Sequence, residues 1–340
     1  MRARELGLRL GELEPGPLNT ITDVPGVRVG HATIVRGDTV RTGVTVVVPG
    51  ELPVFAAPFR LNGNGEMTGL EWIRESGLLT TPIGITNTFS VGMVRDAIVE
   101  SQVRISRDRW HLPVVAETWD GRLNDIRGMH VRPEHVFSAL EDATTGPVAE
   151  GNVGGGTGMI CHGFKGGIGT ASRTAGNHVL GVLVQANHGR RRRLMVDGVH
   201  VGRELGPERV PLPSEDAPSG SIIVVVATDA PLLPHQCARV ASRAALGIGR
   251  TGGAGESSSG DLVLAFATGN GDLQGDDPVQ VELLPESRMD ELFYAVIEAT
   301  EEAIVNALLA AETMTGFGGT AYRLEPELLG EVMRAHGRLA

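Results

Sequence analysis

Long hydrophobic runs, cysteines and aromatic residues are all scarce in this sequence of 340 residues. The longest apolar runs, such as 222–227, fall well short of the ~18 residues of a membrane-spanning helix, so no such helix is expected. Cys161 and Cys237 are too few for a disulfide framework, and the N-terminus lacks the apolar core of a signal peptide. Both features favour a cytoplasmic location. With 8 Phe, 3 Trp and 2 Tyr, a base-stacking surface is not expected either.

An excess of basic charge is also missing. The chain has 41 acidic and 30 basic residues and a net charge of -11, which argues against a nucleic-acid partner. Its ten histidines include no HExxH motif and no Cys/His pairing at zinc spacing, and GxxxxGK[ST] does not occur. We therefore expect no metal, no cofactor, and neither membrane nor nucleic acid as a partner.

Glycine and short β-prone runs are what the sequence does contain. It has 47 glycines, and its 41% of hydrophobic residues is enough for a large core. Near-continuous Val/Ile/Leu runs predict strands that are covered on both faces, at 44–48, 113–116, 179–186, 221–227 and 261–267. Helical patterns are found over 133–143, after Pro234, and from a capping box at Ser287 and Asp290 to about Thr315. Because strands and helices do not alternate strictly, the fold class is α+β, a layered sandwich.

Two further stretches are interpreted as structural. The segment 151–169 holds nine glycines, but it lacks the preceding strand and the later acidic residue of a dinucleotide site. It therefore predicts a tight backbone crossing where side chains do not fit. Cys161, inside this segment, is interpreted as a small buried hydrophobe rather than a nucleophile. The arginine run 190–193 is interpreted as a solvated loop, since packed like charges repel.

The segment 202–220 differs from its surroundings. It is polar, contains four prolines and has no periodicity, so we expect an exposed linker. The linker ends at Gly220, directly before Ser221 and the most β-prone run of the chain. A serine that becomes an N-terminus combines a nucleophile with a base, because its α-amine titrates near ~7.7–8.0. The layout alone also fits an ordinary serine at the start of a strand.

A family resemblance covers most of the chain. The segment 220–232 (GSIIVVVATDAPL) is accompanied by seven others in the same order, at 21–34, 62–69, 81–92, 116–125, 151–173, 183–189 and 257–261. Together they resemble the DmpA/BapA family, which comprises L-aminopeptidase/D-esterases and β-peptidyl aminopeptidases. The resemblance implies a four-layer α/β/β/α sandwich of the DmpA/ornithine acetyltransferase type. It also implies one catalytic domain over 1–340 and a homotetramer or larger assembly.

The resemblance assigns the central site residues. It implies that the precursor cuts itself between Gly220 and Ser221 into an α chain, 1–220, and a β chain, 221–340. Ser221 then matches the nucleophile for both self-cleavage and substrates. Asn187 matches the side-chain amide that helps hold the oxyanion. Ser259 and Asp261 match the pair that contacts the nucleophile and its amine.

Two positions are assigned to substrate binding. Glu117 matches the acid that receives the free amino group of the substrate through a charge-assisted hydrogen bond. Trp119 stands where D-esterase relatives have Tyr. We expect it to form an apolar wall of the acyl pocket; the alternative is that its indole N–H replaces the phenol as a donor.

The expected function is that of an autoprocessing serine aminopeptidase. Such an enzyme releases N-terminal amino acids from peptides, amides and esters that carry a free amino group. Two alternatives stay open on the same fold. One is an acyltransferase of the ornithine acetyltransferase type, whose nucleophile is Thr, so that Ser221 with Glu117 speaks against it. The other is a non-catalytic small-molecule binding protein, against which the intact Ser221, Asn187 and Ser259 argue.

Overall fold

The computed structural model describes residues 1–107, 110–213, 220–275 and 277–339. Each of the five runs predicted as strands falls on one observed strand. In chain order the strands are β1 (Arg28–Arg36), β2 (Val40–Val48), β3 (Val54–Gly63), β4 (Leu78–Leu79), β5 (Ile83–Asn87), β6 (Val114–Thr118), β7 (Ile160–Cys161), β8 (Phe164–Lys165), β9 (Gly167–Ala175), β10 (His178–Ala186), β11 (Ile222–Thr228), β12 (Gly260–Ala267), β13 (Met314–Gly316) and β14 (Gly319–Ala321).

Seven α-helices are found in the described part of the chain. They are α1 (Leu70–Ser76), α2 (Val91–Ile105), α3 (Pro133–Glu141), α4 (Val201–Glu204), α5 (Pro234–Arg250), α6 (Met289–Ala310) and α7 (Pro326–Ala335). Among the described residues, none of these helices combines the length and the apolar character needed to cross a bilayer.

Two sheets pack face to face and are covered by helices. The first has the order β1-β2-β5-β6, and the second has the order β4-β3-β12-β11-β10-β9. Helices α2 and α3 share a hydrophobic core with the first sheet, and α5 and α6 share another with the second. A third core lies between the sheets. These three cores separate four layers, which confirms the α/β/β/α sandwich.

Strand β11 shows why its sequence is apolar throughout. Its even-numbered residues, 222–226, belong to the core under α5 and α6, and its odd-numbered residues, 223–227, belong to the core between the sheets. Because successive side chains of a strand point to opposite faces, a strand between two cores needs apolar residues at every position. The strand pairs in parallel with β12 and antiparallel with β10.

The order of the second sheet interleaves distant parts of the chain. Strands β11 and β12 follow residue 220, whereas their outer neighbours β10 and β3 precede it. The ends of the chain also meet on the core of this sheet, where Leu6 and Leu339 both pack. A Cβ added to Gly7 would lie 3.3 Å from Leu339 Cδ2.

The glycine-rich segment forms the tight crossing expected from the sequence. Gly154–Gly156 is a 3-10 turn that passes between the sheets. A Cβ on Gly155 would lie 2.1 Å from Gln185 Oε1, on β10, and 2.7 Å from the carbonyl oxygen of Ile85, on β5. Only glycine leaves enough room at this position.

The predicted ends of two helices are wrong. Residues 286–288 form a separate 3-10 turn, and α6 starts at Met289 with no side-chain cap, so the capping box of Ser287 and Asp290 does not form. The helix ends at Ala310 rather than near Thr315, because residues 314–321 pair as the β13–β14 hairpin. Likewise, α3 ends at Glu141, two residues before the predicted end.

The segment 202–213 is not the exposed linker that its composition suggested. Leu205 and Val210 are buried in the core of the second sheet, and α4 occupies the start of the segment. Two well-spaced apolar residues are therefore enough to anchor a proline-rich stretch that has no periodicity. Residues 214–219, the remainder of the expected linker before Gly220, lie outside the described residues.

The interpretation of 190–193 as a solvated loop is wrong at Arg191. Its buried guanidinium donates to the carbonyl oxygens of Leu205 at 3.0 Å and Val210 at 2.8 Å, and to those of residues 162 and 163. It also lies 3.4 Å from the ring centroid of Phe164. The planar fork of Arg satisfies several carbonyls at once, and this outweighs the repulsion from its neighbours.

Candidate active site

The start of β11 brings the sequence-predicted groups to one peptide bond. Ser221 is 6% exposed, and its Oγ accepts a hydrogen bond of 2.9 Å from the backbone N–H of Gly260. The hydroxyl oxygen of Ser259 lies 2.5 Å from the carbonyl oxygen of Gly220. Both contacts follow from the parallel pairing of β11 with β12, which sets residues 259–261 beside the start of β11. The candidate nucleophile and the carbonyl before it are thus both held by backbone or side-chain donors.

The Ser259 hydroxyl lies between two oxygen atoms, one of the Gly220 carbonyl and one of the Asp261 carboxyl group. Its Oγ lies 2.5 Å from Asp261 Oδ1 as well as 2.5 Å from the Gly220 carbonyl oxygen. Burial raises the pKa of Asp261, against the opposing effects of the Ser259 hydroxyl and the Ile222 backbone N–H. A hydroxyl has one proton, so both contacts are hydrogen bonds at once only when Asp261 is protonated. Asp261 then donates to Ser259, and Ser259 donates to Gly220.

Asn187 lies against the same bond, just after β10. Its backbone N–H donates to the carbonyl oxygen of Ser221 at 3.1 Å. Its side-chain oxygen accepts from the N–H of Ile160 at 2.8 Å, and its Nδ2 donates to the carbonyl oxygen of Trp119 at 3.0 Å. A Cβ on Gly220 would lie only 2.5 Å from this Nδ2, so residue 220 has to be small. The amide is held rigidly, and the second hydrogen of Nδ2 has no partner among the described residues.

Glu117 is buried near the end of β6. It is 3% exposed, and its carboxylate accepts hydrogen bonds from the Glu66 backbone N–H at 3.0 Å and from the Thr88 hydroxyl. Burial raises its pKa despite these two donors. A Cβ on Gly65 would lie 3.1 Å from Glu117 Oε1 and 3.0 Å from the Cα of Gly260, the donor to the candidate nucleophile. Gly65 therefore lies between the Glu117 carboxylate and Gly260. The carboxylate oxygens have further lone pairs that can accept hydrogen bonds from an ammonium group.

Trp119 forms part of a cavity wall. Its side chain is 43% exposed, and a Cβ on Gly121 would lie 2.5 Å from its ring, so glycine lets the indole lie close to the backbone. The cavity has a volume of about 670 Å³, and Asn187 and Gly220 line it as well. The structure therefore places Trp119 at a cavity beside the candidate nucleophile. Its role in an acyl pocket stays a prediction.

Sequence analysis missed the charge of this cavity. Six arginines are among the described residues that line it, and no acidic residue is: Arg122, Arg190, Arg191, Arg192, Arg193 and Arg203. The signal was available, because four of them follow the QANHG segment of Asn187 directly in the sequence. A run of arginines is usually solvated, so the run alone does not indicate a cavity.

A buried Cys/His cluster was also missed, because its members do not have zinc-site spacing. The potential ligand atoms of Cys161, His162 and His188 lie within 4.8 Å of one another. Burial raises the pKa of Cys161 to about 12, lowers that of His162 to about 4 and lowers that of His188 well below its usual value. At neutral pH the cluster is therefore a thiol with two neutral imidazoles. A protonated thiol is a poor nucleophile, which argues against Cys161 as the catalytic residue.

The site places a serine hydroxyl beside a peptide carbonyl, with a second hydroxyl and a carboxyl group next to it, on a four-layer sandwich. This arrangement is the one expected of a hydrolase with a serine nucleophile. Comparison with known proteins gives the family. The sequence model of peptidase family S58 matches residues 19–322. The chain therefore belongs to peptidase family S58, and it is an aminopeptidase.

Similar proteins agree over the whole length. The β-peptidyl aminopeptidase BapA of Sphingosinicella microcystinivorans is 47% identical over 370 residues, which cover 100% of this chain and 93% of that protein. The structure of a Burkholderia sp. β-aminopeptidase matches with a TM-score of 0.93 and 52% identity over 99% of both chains. The L-aminopeptidase D-Ala-esterase/amidase of Ochrobactrum anthropi, described as a variant of the Ntn hydrolase fold, matches with a TM-score of 0.93, 43% identity, and coverage of 100% of this chain and 99% of its own. The expected family, fold class and enzyme class are confirmed.

Proposed function

We propose that this aminopeptidase cuts its own chain between Gly220 and Ser221 and then uses the freed Ser221 as its nucleophile. The products are an α chain, 1–220, and a β chain, 221–340, which together form one catalytic domain. The observation that carries the proposal is the geometry at this bond. The Ser221 hydroxyl is fixed by Gly260, while the carbonyl oxygen that would become the oxyanion lies 2.5 Å from the Ser259 hydroxyl. A preorganised donor at that oxygen stabilises the developing charge.

Self-cleavage starts with attack of Ser221 Oγ on the carbonyl carbon of Gly220. The oxyanion accepts a hydrogen bond from the Ser259 hydroxyl, and the Ser259 oxygen in turn accepts one from protonated Asp261. The Oγ proton moves to the Ser221 nitrogen as the C–N bond breaks, so that an ester and a free α-amine result. Water then hydrolyses the ester to a Gly220 carboxylate and restores the Ser221 hydroxyl.

Substrate hydrolysis repeats these steps with a new carbonyl. The α-amine of Ser221 takes the Oγ proton as Oγ attacks, and it later gives that proton to the departing amine. The second N–H of the Asn187 side chain, which has no partner among the described residues, donates to the oxyanion of the substrate. Glu117 binds the ammonium group of the substrate, and we therefore expect a preference for substrates with an unblocked N-terminus. After self-cleavage has removed the Gly220 carbonyl from Ser259, Asp261 no longer has to donate to that hydroxyl, and its ionised carboxylate stabilises the ammonium form of Ser221 between the two proton transfers.

The proposed substrates are peptides, amides and esters with a free N-terminal amino group. This choice is supported by the relatives, which are named β-peptidyl aminopeptidase and L-aminopeptidase D-Ala-esterase/amidase. We further propose that the protein works in the cytoplasm as a homotetramer or a larger homo-oligomer. Light scattering on the purified enzyme measures the oligomer directly.

Mass spectrometry of three variants tests the mechanism. The wild-type protein should give two chains, one of which starts at Ser221. Ser221→Ala removes the hydroxyl, so it should remain at the full 35.8 kDa and hydrolyse no substrate. Ser221→Cys should still cut itself, because a thiol is the stronger nucleophile, but it should turn over substrates poorly. Ser138→Ala, on α3, is the matched control and should behave as wild type.

Two results would contradict the proposal. One is normal turnover by a contaminant-free Ser221→Ala preparation, and the other is a wild-type chain that stays intact after full incubation. The same assays separate the alternatives. If acyl transfer to an added amine exceeds hydrolysis, the acyltransferase is favoured. If ligands bind and neither reaction occurs, the binding protein is favoured.

A further inference from the structure

The described lining of the cavity is strongly basic, in a protein whose net charge is -11. The N–H groups of Arg191 donate to four backbone carbonyls, and Arg190 donates to the Glu256 carboxylate at 2.9 Å. Three further arginines of the lining are exposed, and they form no ion pair with any described residue: Arg192, Arg193 and Arg203. Holding like charges together without acidic partners costs free energy, so such a cluster is typical of a site for an anionic group.

The cavity lies directly beside the reactive bond. Gly220, Asn187 and Trp119 are part of its lining, whereas Glu117 is not. If this cavity takes the leaving group, Trp119 contacts that group instead of the acyl group expected from the sequence. Glu117 instead approaches the nucleophile through Gly65 and Gly260. If the substrate ammonium binds Glu117, the acyl half extends from Ser221 towards that carboxylate. The half of the substrate that departs then has the cavity available.

We propose that this cavity is the leaving-group subsite and that it selects leaving groups with a carboxylate, above all the free C-terminus of a short peptide. The inference rests on the proposed function, because the binding of the amino group at Glu117 sets the orientation of the substrate. The planar guanidinium group binds carboxylates through paired N–H donors, which gives direction as well as attraction. The enzyme thus holds a short peptide by both of its terminal charges.

Matched substrates measure this preference directly. The probes are the dipeptide Ala-Ala and its C-terminal amide, and the same pair with β-alanine first, assayed as kcat/KM ratios of acid to amide. In the wild-type enzyme the acid should be preferred about tenfold, and 0.5 M NaCl should reduce this preference. The triple variant Arg192→Gln/Arg193→Gln/Arg203→Gln should bring the ratio close to one, mainly through KM. Arg203→Gln alone should have a smaller effect in the same direction.

The controls separate folding, orientation and the proposed function. Arg104→Gln, an exposed arginine on α2, should keep the wild-type ratio, and self-cleavage on a gel reports whether each variant is folded. An unchanged ratio in the triple variant would overturn the proposal, and so would a wild-type preference for the amide. An equal loss on amides with an acidic N-terminal residue would place the cavity on the acyl side and overturn it too. Failure of the proposed function itself appears separately, as activity in Ser221→Ala.

Discussion

Glu117 is a carboxylate that burial has made easier to protonate. Its pKa is raised, so its negative charge is lost at a higher pH than that of an exposed glutamate as the solution is acidified. A group that binds an ammonium ion must itself be ionised. The KM for substrates with a free amino group should therefore rise on acidification from a pH above the usual range of glutamate. Substrates without an amino group lack this dependence.

Glu117→Gln tests the same residue by removing its charge. The amide oxygen still accepts a hydrogen bond from the Glu66 backbone N–H, and the amide NH2 group can donate to the Thr88 hydroxyl instead of accepting from it, but the neutral side chain does not form an ion pair with an ammonium group. We expect kcat/KM for free-amine substrates to fall by about 10- to 100-fold, which is the typical range for a lost charged hydrogen bond. Esters with a blocked N-terminus should lose much less. Equal losses on both kinds of substrate would leave Glu117 with a purely structural role.

Single residues were predictable from sequence where a local motif marked them. Ser221 stands before a strongly apolar strand, and Ser259 and Asp261 lie in a short polar segment that the family resemblance identifies. The environment of each residue was not predictable. The 2.5 Å contact of Ser259 with the Gly220 carbonyl joins segments 39 residues apart, and only the parallel pairing of β11 with β12 creates it.

At the scale of elements, the near-continuous Val/Ile/Leu runs were predicted as strands, and the more polar strand β9 was not. Strand β9 carries Thr170, Ser172 and Arg173, yet all three are buried. Their partners are distant: Arg173 Nη2 lies 2.7 Å from a carboxylate oxygen of Glu302 on α6, and Ser172 accepts from a backbone N–H near the N-terminus. Hydrophobic periodicity does not reveal a strand whose burial is offset by polar partners. Arg173 pairs with Glu298 and Glu302, which explains two of the buried acidic residues of α6.

The Arg191 side chain ties the segment that follows β10 to Leu205 and Val210, which precede the proposed cleavage site. We call this set of hydrogen bonds the tether. Lysine at this position keeps the positive charge but cannot bond four carbonyls in one plane. We expect Arg191→Lys to lower the free energy of unfolding by about 3 kcal/mol, as measured by the urea midpoint, and to slow self-cleavage. Arg209→Lys, in an exposed pair with Glu331, is the control and should change stability by less than about 1 kcal/mol. Equal stability of the two variants would show that the tether is unimportant.

At the scale of the whole molecule, the four layers were predictable because the resemblance covers the chain in order. The interleaving of the second sheet explains how such a fold would tolerate a cut. If the chain is cut after Gly220 as proposed, strands β11 and β12 stay paired with β10 and β3, which belong to the other product. Seven residue pairs join β11 to β10 alone. The two products are therefore held by backbone ladders on both sides and by a shared core.

We expect the two chains of the mature enzyme to behave as one thermodynamic unit. They should elute together in size-exclusion chromatography without denaturant, and they should unfold in a single calorimetric transition, since neither keeps a complete second sheet alone. Uncut Ser221→Ala should also show one transition. Elution of a separate folded β chain, or two resolved transitions in the cut enzyme only, would contradict this expectation.

The two ends of the chain meet on the core of the second sheet, so the fold is compatible with a different order of its segments along the chain. Leu6 and Leu339 pack on the same core, so a glycine-serine connection between these two parts of the chain has a short distance to span. A circularly permuted gene could then begin at the codon for Ser221 and finish at that for Gly220. Once its initiator methionine is removed, such a protein would carry its reactive amine from the outset. Autoproteolysis would then be only a means of exposing that amine, and hydrolysis of substrates would require the amine but not the cleavage reaction.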